Sequence, residues 1–595
     1  MLTNQFLILD LLTALWVSIL FVILFIWLPT KSFSHKRDRI SDRIVAASAR
    51  IVLATVAGVL SLTTLGLFNW FTLVLLYVGC LISAQLQQHH WQVKKVIRVF
   101  YHRFVVVTAD FLDPELALQK SQKLGNSIWF SWRQFAEIIY SSYLNNLQGM
   151  LSVFGLITIL SLSAIARFEH PLLQLRLGDP DSYHTLLVTK QILAQDWSQL
   201  KYIPVMPSLA AILSLLGAID PMQVIRFLGA IIGCMLVLSV GYSVRTLTKN
   251  GTAALVAMCG LGIYLFTLSG SIPFILPNWW QQLFATVTES LNQSLIRQWA
   301  GGDLEIGAIF LVCSLACFPK DSGAKQQKAA INNICCLAIV ALTAPSLLII
   351  AVFGKIGLVV GSKMSLAIAS ITWLILAFAA AIPQNPFDLD RSFLLTLPVA
   401  LSLLSGLVFT LAASFGGLVF GNLSESVCLF LVFSISINCL LPTKPNIFYL
   451  EYDIAARKTL ELGALFPAKK WALVAPVEQF AESYGKAWYE DLGLFVEKYA
   501  AKAGKVDFQF PFSIPDLFIF VEKIPFPTYS TEPHVVSEAM LYDPVYRYYR
   551  SPAGRASLQF NALKMCESYR SSHSNTSIYY ENDELRIYHF RLTRS

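Results

Sequence analysis

The 595-residue chain is 55% hydrophobic and only 14% charged, and its mean hydropathy is +0.58. Soluble domains carry about 25% charged residues, so this composition excludes an ordinary water-soluble globular protein. The net charge of +8 does not indicate nucleic-acid binding, because the basic residues cluster in short loops beside apolar segments. That arrangement is typical of the cytoplasmic loops of membrane proteins.

Continuous apolar runs recur along the chain, each about 18 residues or longer, which is the length that crosses a bilayer. Because these runs are continuous rather than alternating, they predict helices and not a barrel. We therefore predict a polytopic α-helical membrane protein with about 12–13 transmembrane helices. Composition divides the chain into an N-terminal region (1–148), a central helical module (149–442) and a polar C-terminal domain (443–595).

The N-terminal region is predicted to contain three membrane helices, at about residues 5–29, 50–68 and 70–86. The first apolar run lacks a basic segment before it and a small-residue cleavage site, so we interpret it as a retained helix. Basic residues follow the first and third helices. The positive-inside rule therefore places both basic stretches in the cytoplasm and the N-terminus outside.

In the central module, a fourth helix at about 149–166 runs outward and places residues 167–203 on the external face. A second external loop is predicted over residues 270–302, and the next helix, 304–318, returns inward. The other helices are predicted at about 204–218 (short, a candidate re-entrant segment), 222–244, 252–269, 330–344, 345–362, 364–382, 393–412 and 419–441.

The C-terminal domain is predicted to be a mixed α/β domain outside the cytoplasm. Residues 470–499 are predicted as helix and residues 507–512 and 517–521 as strands. Residues 577–580 and 585–590 flank a polar turn and predict a β-hairpin. Cys566 is the only cysteine of this domain, so it has no internal disulfide.

Two acidic motifs fall on the predicted external face. The first (residues 178–184) reads Gly-Asp-Pro-Asp-Ser-Tyr-His, and the second (residues 297–305) ends in Asp303-Leu304-Glu305. Carboxylates in the first turn of a helix lie beside free backbone N–H groups. Hard divalent cations prefer such oxygen ligands and leave positions open for a phosphate. A single aspartate at such a place is more simply a solvated loop residue, so the prediction rests on the two motifs together.

These motifs carry a resemblance to the GT-C superfamily of membrane glycosyltransferases. Asp181-Ser182-Tyr183-His184 resembles its first acidic motif, and residues 297–305, Arg-Gln-Trp-Ala-Gly-Gly-Asp-Leu-Glu, are similar to its second. Residues 202–209 and 225–245 resemble the proline-containing turn and the helix that lie between them. Within the superfamily the catalytic subunit of oligosaccharyltransferase is most similar, over residues 149–320.

The resemblance implies that residues 149–442 form a GT-C-like catalytic module. It would transfer a sugar, with inversion, from a polyprenyl-phosphate or polyprenyl-diphosphate donor in the membrane lipid. Asp181, Asp303 and Glu305 would be the catalytic carboxylates and would bind Mn²⁺ or Mg²⁺, with Asp179 as the alternative to Asp181. The candidate substrate contacts are Tyr183, His184 and Arg297. His184 could equally be a metal ligand or an interfacial residue, and Arg297 a phosphate partner or a snorkelling residue at a helix end. Asp388 and Asp390, also on the predicted outer side, could supply a further carboxylate from a later loop.

The acceptor stays open between a glycan, a lipid and a protein side chain. The soluble domain of oligosaccharyltransferase carries a Trp-Trp-Asp-Tyr-Gly motif, and residues 488–493, Trp-Tyr-Glu-Asp-Leu-Gly, match it poorly. A protein asparagine is therefore not supported as the acceptor.

Two other functions compete with a glycosyltransferase. A transporter or flippase of lipid-linked glycans would need charges near the middle of the membrane, for which Arg226 and Lys355 are the main candidates. A non-catalytic membrane scaffold would instead present residues 443–595 to a partner.

Overall fold

Apolar helices make up the larger part of the protein, and a small mixed sheet lies near its C-terminus. The computed structural model describes residues 2–33, 40–88, 147–178, 180–196, 203–263, 286, 290–291, 293–299, 301–317, 324–382, 388–420, 451–525 and 552–592. In chain order, the helices before residue 421 are α1 (Leu2–Phe21), a π-helical segment (Val22–Trp27), α2 (Leu28–Phe33), α3 (Ile40–Thr64), α4 (Trp70–Gln88), α5 (Leu147–Leu173), α6 (Pro180–Leu193), α7 (Val205–Gly217), α8 (Pro221–Thr248), α9 (Gly251–Gly262), α10 (Gln293–Trp299), α11 (Asp303–Ala316), α12 (Ala324–Thr343), α13 (Leu348–Val360), α14 (Ser362–Ala380), α15 (Ser392–Leu395) and α16 (Leu397–Phe420).

Six helical segments of the described chain are long and apolar enough to cross a membrane. They span 18 to 28 residues, and about 20 residues at 1.5 Å each cover the hydrocarbon core of a bilayer. The predicted membrane class agrees with this architecture. The count of 12–13 helices stays a prediction, because part of the last predicted helix (419–441) lies outside the described residues. The six segments are Ile8–Ser32, Ile40–Thr64, Ser152–Leu173, Pro221–Thr248, Ser362–Ala380 and Leu397–Ser414.

Helix α8 is the centre of the bundle, and α1, α5, α7, α9, α11, α14 and α16 all contact it. Its start is well specified: Pro221 occupies the first turn, and the Asp220 carboxylate accepts the backbone N–H of Met222. It ends at Lys249, whose φ of 60° is left-handed. Most of its side chains are buried, as expected for a largely apolar helix at the centre of a bundle.

Two predictions for the segments expected to lie on the external face were wrong. The helix predicted to end near residue 166 continues as α5 to Leu173. Part of the predicted external loop 270–302 forms the short helix α10, which packs inside the bundle. In both places polar residues interrupt the apolar pattern, but Arg167 of α5 and Gln298 of α10 are buried and bind each other.

The C-terminal domain is a five-stranded mixed sheet with helices on both faces. The strand order is β2-β1-β3-β5-β4, with β1 parallel to β2 and β3, and β5 antiparallel to β3 and β4. Its elements are α17 (Asp453–Leu465), β1 (Trp471–Ala475), α18 (Gln479–Ser483), β2 (Trp488–Asp491), α19 (Leu492–Tyr499), β3 (Asp516–Glu522), α20 (Pro552–Ser572), β4 (Thr576–Glu581) and β5 (Leu585–Arg591).

Successive residues of β3 point to opposite faces of the sheet. Leu517 and Ile519 pack with α19 and α20 on one face, and Phe518 and Phe520 pack with α17 on the other. The predicted strand 517–521 and the predicted hairpin are confirmed. The predicted α/β class of this domain is therefore confirmed as well.

Two secondary-structure predictions in this domain were wrong. Residues 470–499 form β1, α18, β2 and α19 instead of one helix. All five residues of β1 are buried because the strand lies between two parallel neighbours, and such an apolar run has no period that separates it from a buried helix. Residues 507–512 form no strand. Their rings pack against α19 and α20, with Phe510 against Tyr569 at 4.4 Å between centroids.

A buried ion cluster joins α20 to the sheet. Arg555, 0% exposed, donates to both carboxylate oxygens of Glu522, at 2.9 Å and 2.6 Å, and to Glu478 at 3.3 Å. Gln559 also donates to Glu522 at 3.1 Å. Removing one partner from such a cluster leaves a buried charge that has lost its counter-charge.

We predict that Arg555→Ala destabilises the C-terminal domain by about 3–5 kcal/mol, the usual cost of breaking a buried ion pair. The measurement is the urea dependence of proteolysis of the domain in the full-length protein. Arg570→Ala is the matched control, because Arg570 is half-exposed and pairs with Glu567 at 3.4 Å. It should change stability by about 0.5 kcal/mol or less. Equal effects of the two substitutions would contradict the prediction.

Candidate functional site

Helix α6 carries the first acidic motif. The chain leaves α5 at Leu173 and enters α6 at Pro180, so Asp181 lies in the first turn, where the helix dipole favours a carboxylate. Its side chain is 61% exposed. Asp179, the alternative to Asp181, lies outside the described residues.

The second acidic motif lies at a sharp bend between two helices. Helices α10 and α11 meet at an angle of 99°. At the bend Gly301 has a φ of +67°, and a Cβ there would lie 2.5 Å from the Cα of Gly229 in α8. Glycine is therefore required both for the backbone conformation and for the close approach to α8. The bend brings Arg297, before it, next to Glu305, after it.

Arg297 connects the two acidic motifs. Its Nη1 lies 2.7 Å from Oδ2 of Asp181, and its Nε lies 3.1 Å from Oε1 of Glu305. The guanidinium is 16% exposed and Glu305 7%. The structure thus brings Asp181 and Glu305 together around one cation, where the two motifs were expected to meet.

Asp303 has a different partner. Its Oδ1 accepts the backbone N–H of Met206 at 2.5 Å, and Val205 donates to the same side chain. Helix α7 begins after Pro204, which supplies no side-chain cap. Asp303 therefore caps α7 from a distant part of the chain and satisfies N–H groups that would otherwise lack acceptors.

The predicted metal ligands do not form a common ligand set in this arrangement. Arg297 lies between Asp181 and Glu305, and Asp303 is directed to the start of α7. Over the described residues, no group of three His, Cys, Asp or Glu side chains is placed to hold a metal ion. The requirement for Mn²⁺ or Mg²⁺ stays a prediction.

The two residues that follow Asp181 diverge. Tyr183 is 6% exposed, and its hydroxyl donates to Glu451 of the C-terminal domain and accepts the N–H of Leu177 at 3.3 Å. A substrate contact through this hydroxyl would have to replace the bond to Glu451. His184 is exposed.

Asp388 and Asp390 belong to a separate turn before α16. Asp388 has a left-handed φ of 48°, and Asp390 accepts the N–H of Ser392 at 2.8 Å and so caps α15. No contact described for either residue joins it to Arg297.

Sequence reasoning missed the buried contacts that hold α10. Arg167 of α5 donates to Gln298 Oε1 at 3.0 Å and 2.6 Å, and Trp299 donates to the carbonyl of Ala166 at 2.7 Å. The ring of Trp299 also stacks on His170, with centroids 5.0 Å apart. An arginine beside an apolar run is the signal that could have indicated this role.

Comparison of the chain with protein-family models and with curated protein sequences finds no match. The assignment of function therefore depends on the site itself.

We predict that Gly301→Ala disrupts the bend between α10 and α11, because a side chain there is strained in φ and overlaps α8. The left-handed conformation alone costs about 1–2 kcal/mol. The apparent melting temperature of the detergent-purified protein should fall. Gly79→Ala is the matched control, since a Cβ at Gly79 of α4 meets nothing within 4 Å. A Gly301→Ala protein as stable as the control would contradict this account of the bend.

Proposed function

We propose that this protein is an integral-membrane glycosyltransferase of the GT-C type. It transfers a sugar from a polyprenyl-phosphate-linked donor to an acceptor on the external face. The observation that supports this most is the Arg297 guanidinium held between Asp181 and Glu305, where the apolar helices meet the C-terminal domain. A lipid-linked donor fits this place because its chain lies in the membrane and its phosphate at the surface.

Arg297 suits the leaving group of such a donor. When the bond from the anomeric carbon to the phosphate oxygen breaks, its electron pair stays on the lipid phosphate. A planar guanidinium binds phosphate oxygens through paired N–H donors and stabilises that developing charge. Glu305, which is buried beside Arg297, holds the guanidinium in position.

Asp181 is suited to act as the base for the incoming acceptor. It is the most exposed carboxylate of the site and can accept the proton of the acceptor as the acceptor attacks the anomeric carbon. General-base catalysis of this kind contributes about 10²–10⁴-fold to a rate. Attack opposite to the leaving phosphate inverts the configuration of the sugar.

The lipid-linked-glycan transporter is the second candidate. Arg226 of α8, 2% exposed, forms an ion pair with Asp10 of α1 at 2.8 Å, and an ion pair among membrane helices can mark a transport pathway. Movement of a lipid-linked sugar across vesicles that contain the pure protein, without release of lipid phosphate, would favour this function.

We predict that Asp181→Asn and Glu305→Gln each reduce release of lipid phosphate by about 100-fold or more, because they remove the base and the anchor of Arg297. The assay uses the full-length protein in lipid nanodiscs with a synthetic polyprenyl-phosphate sugar and membrane extract as the source of acceptor. Glu169→Gln, an exposed carboxylate of α5, is the matched control and should keep wild-type activity.

Wild-type rates in both site variants would overturn the proposed function. The same assay with a chelator tests the Mn²⁺ or Mg²⁺ requirement separately.

We also predict that an alkaline phosphatase fused after Ser595 is active, because the proposed reaction needs the C-terminal domain outside the cytoplasm. The domain contacts the segment that carries the first acidic motif: Asp453 accepts the N–H groups of Leu175 at 2.5 Å and Arg176 at 3.1 Å. Motif and domain therefore share one side. Fusions after Asn250, between α8 and α9, should be inactive, and the opposite pattern would contradict the proposal.

A further inference from the structure

Helix α6 is held along one face by the C-terminal domain. Tyr183 and Lys190 are seven residues apart and share that face. Tyr183 donates to the Glu451 carboxylate, and Lys190 donates to the backbone carbonyl of Glu482. Just after the end of α6, the carboxylate of Asp196 accepts the hydroxyl of Tyr484 at 3.0 Å. Asp181 therefore stands on a helix whose position depends on the domain.

Two acidic side chains face each other in this interface. Glu451 is 0% exposed and Glu482 2%, and their carboxyl groups lie within hydrogen-bonding reach of each other. An ionised carboxylate only accepts hydrogen bonds, so a bond between two carboxyl groups requires a proton on one of them.

The surroundings of Glu482 agree with this requirement. Neither of its oxygens receives an N–H or O–H donor from the protein as described. Thr459, which is in contact with it, donates its own hydroxyl to the carbonyl of Ala455 at 3.0 Å. A carboxylate buried without a donor is costly, and a proton on the pair removes this cost. Glu451, in contrast, accepts from both Tyr183 and Gln479.

Other charged groups around the pair do not neutralise it. Burial raises the pKa of both glutamates, and for Glu482 the charge of Glu451 raises it further. Lys190 opposes this rise for Glu482, but burial lowers its own pKa to about 8 and Asp220 also attracts it. Among the described residues, other charged groups near the pair or Lys190 are Glu478, which pairs with Arg555, Arg176, which donates to the backbone carbonyl of Glu451, and Lys486.

We propose that Glu451 and Glu482 share one proton, and that Glu451, through Tyr183, is a positioning residue for Asp181. The role assigned to Asp181 rests on the proposed function, whereas the shared proton and the ordering of α6 do not. Loss of the proton would place two negative charges side by side in a buried interface. The contact of the domain with α6 would then weaken, and Asp181 would lose its fixed place opposite Arg297.

The direction of the pH dependence follows from the raised pKa values. A carboxyl group whose pKa is higher in the docked state than in the free state favours docking while it is protonated. This stabilisation is present at low pH and is lost as the pH rises through the raised values. Wild-type α6 should therefore be ordered at mildly acidic and neutral pH and become mobile in alkaline solution.

The proton itself can be measured by infrared difference spectroscopy on the full-length protein in nanodiscs at about pH 7.5, well above the ordinary range of a glutamate pKa. We expect the wild type to show a carbonyl stretch from a protonated carboxylic acid that is absent from both Glu451→Gln and Glu482→Gln. Glu497→Gln, an exposed glutamate of α19, should leave the band unchanged. Persistence of the full band in both variants of the pair would overturn the proposal.

The positioning role is tested by a nitroxide spin label on His184→Cys, an exposed position next to Tyr183. We expect an immobile label at about pH 6 and a mobile one at about pH 10 in the wild-type background, as the last proton leaves the pair. In Glu482→Gln the amide replaces the proton as a permanent donor to Glu451, so the label should stay immobile at both pH values. In Tyr183→Phe the label should be mobile at both pH values.

Each contrary result has a distinct meaning. A label that becomes mobile at high pH even in Glu482→Gln would assign the effect to Lys190 and overturn the proposal. An immobile label in Tyr183→Phe would remove the link from Glu451 to Asp181. If band and label respond as expected but no lipid phosphate is released, the shared proton stands and only the proposed glycosyltransferase activity fails.

Discussion

The geometry of the candidate site depends on the buried guanidinium of Arg167. This side chain is 0% exposed and donates to Gln298, to Ser163 and to the carbonyls of Leu261 and Gly262. Those carbonyls belong to the last turn of α9, where backbone oxygens have no helical partner and the dipole attracts a cation. Burying a charge costs several kcal/mol, and the dense set of acceptors offsets this cost. Because Gln298 follows Arg297 directly, the contact that ends α9 also fixes the residue that joins the two acidic motifs.

The three carboxylates that the resemblance implies lie in three different environments. Asp181 is exposed at a helix start, Glu305 is buried beside Arg297, and Asp303 caps α7. Carboxylates that look equivalent in the sequence therefore have different roles in the structure. The roles differ because Asp181 faces solvent, Glu305 contacts a guanidinium and Asp303 accepts backbone N–H groups. Of the three, only Asp181 combines exposure with a neighbouring cation.

Much of the fold could be predicted because the relevant signals are local. Apolar runs of bilayer length predict membrane helices, and the alternation around residues 577–590 predicts a hairpin that the structure confirms. The errors arose where the deciding contact is distant in sequence. Strand β1 looks like a helix until its two parallel neighbours are known, and α10 looks like a loop until Arg167, 131 residues earlier, binds Gln298.

At the site, the motif residues were found from sequence. The cap formed by Asp303 and the bond from Tyr183 to Glu451 were not, since each pairs residues 97 or 268 positions apart.

Because α6 is attached to the C-terminal domain, a chimaera would have to exchange the two together. Tyr183 and Lys190 contact the domain through a glutamate carboxyl and a backbone carbonyl that it supplies, and Leu175 and Arg176 bind Asp453. A chimaera that replaces only the polar C-terminal residues would leave these groups facing a foreign surface. The segment from Gln174 to Asp196, although it belongs to the membrane part by position in the chain, would have to be transplanted with the domain. In a recombination or design experiment, the chimaera should therefore be joined within the loop after α5 and not where the last apolar helix ends.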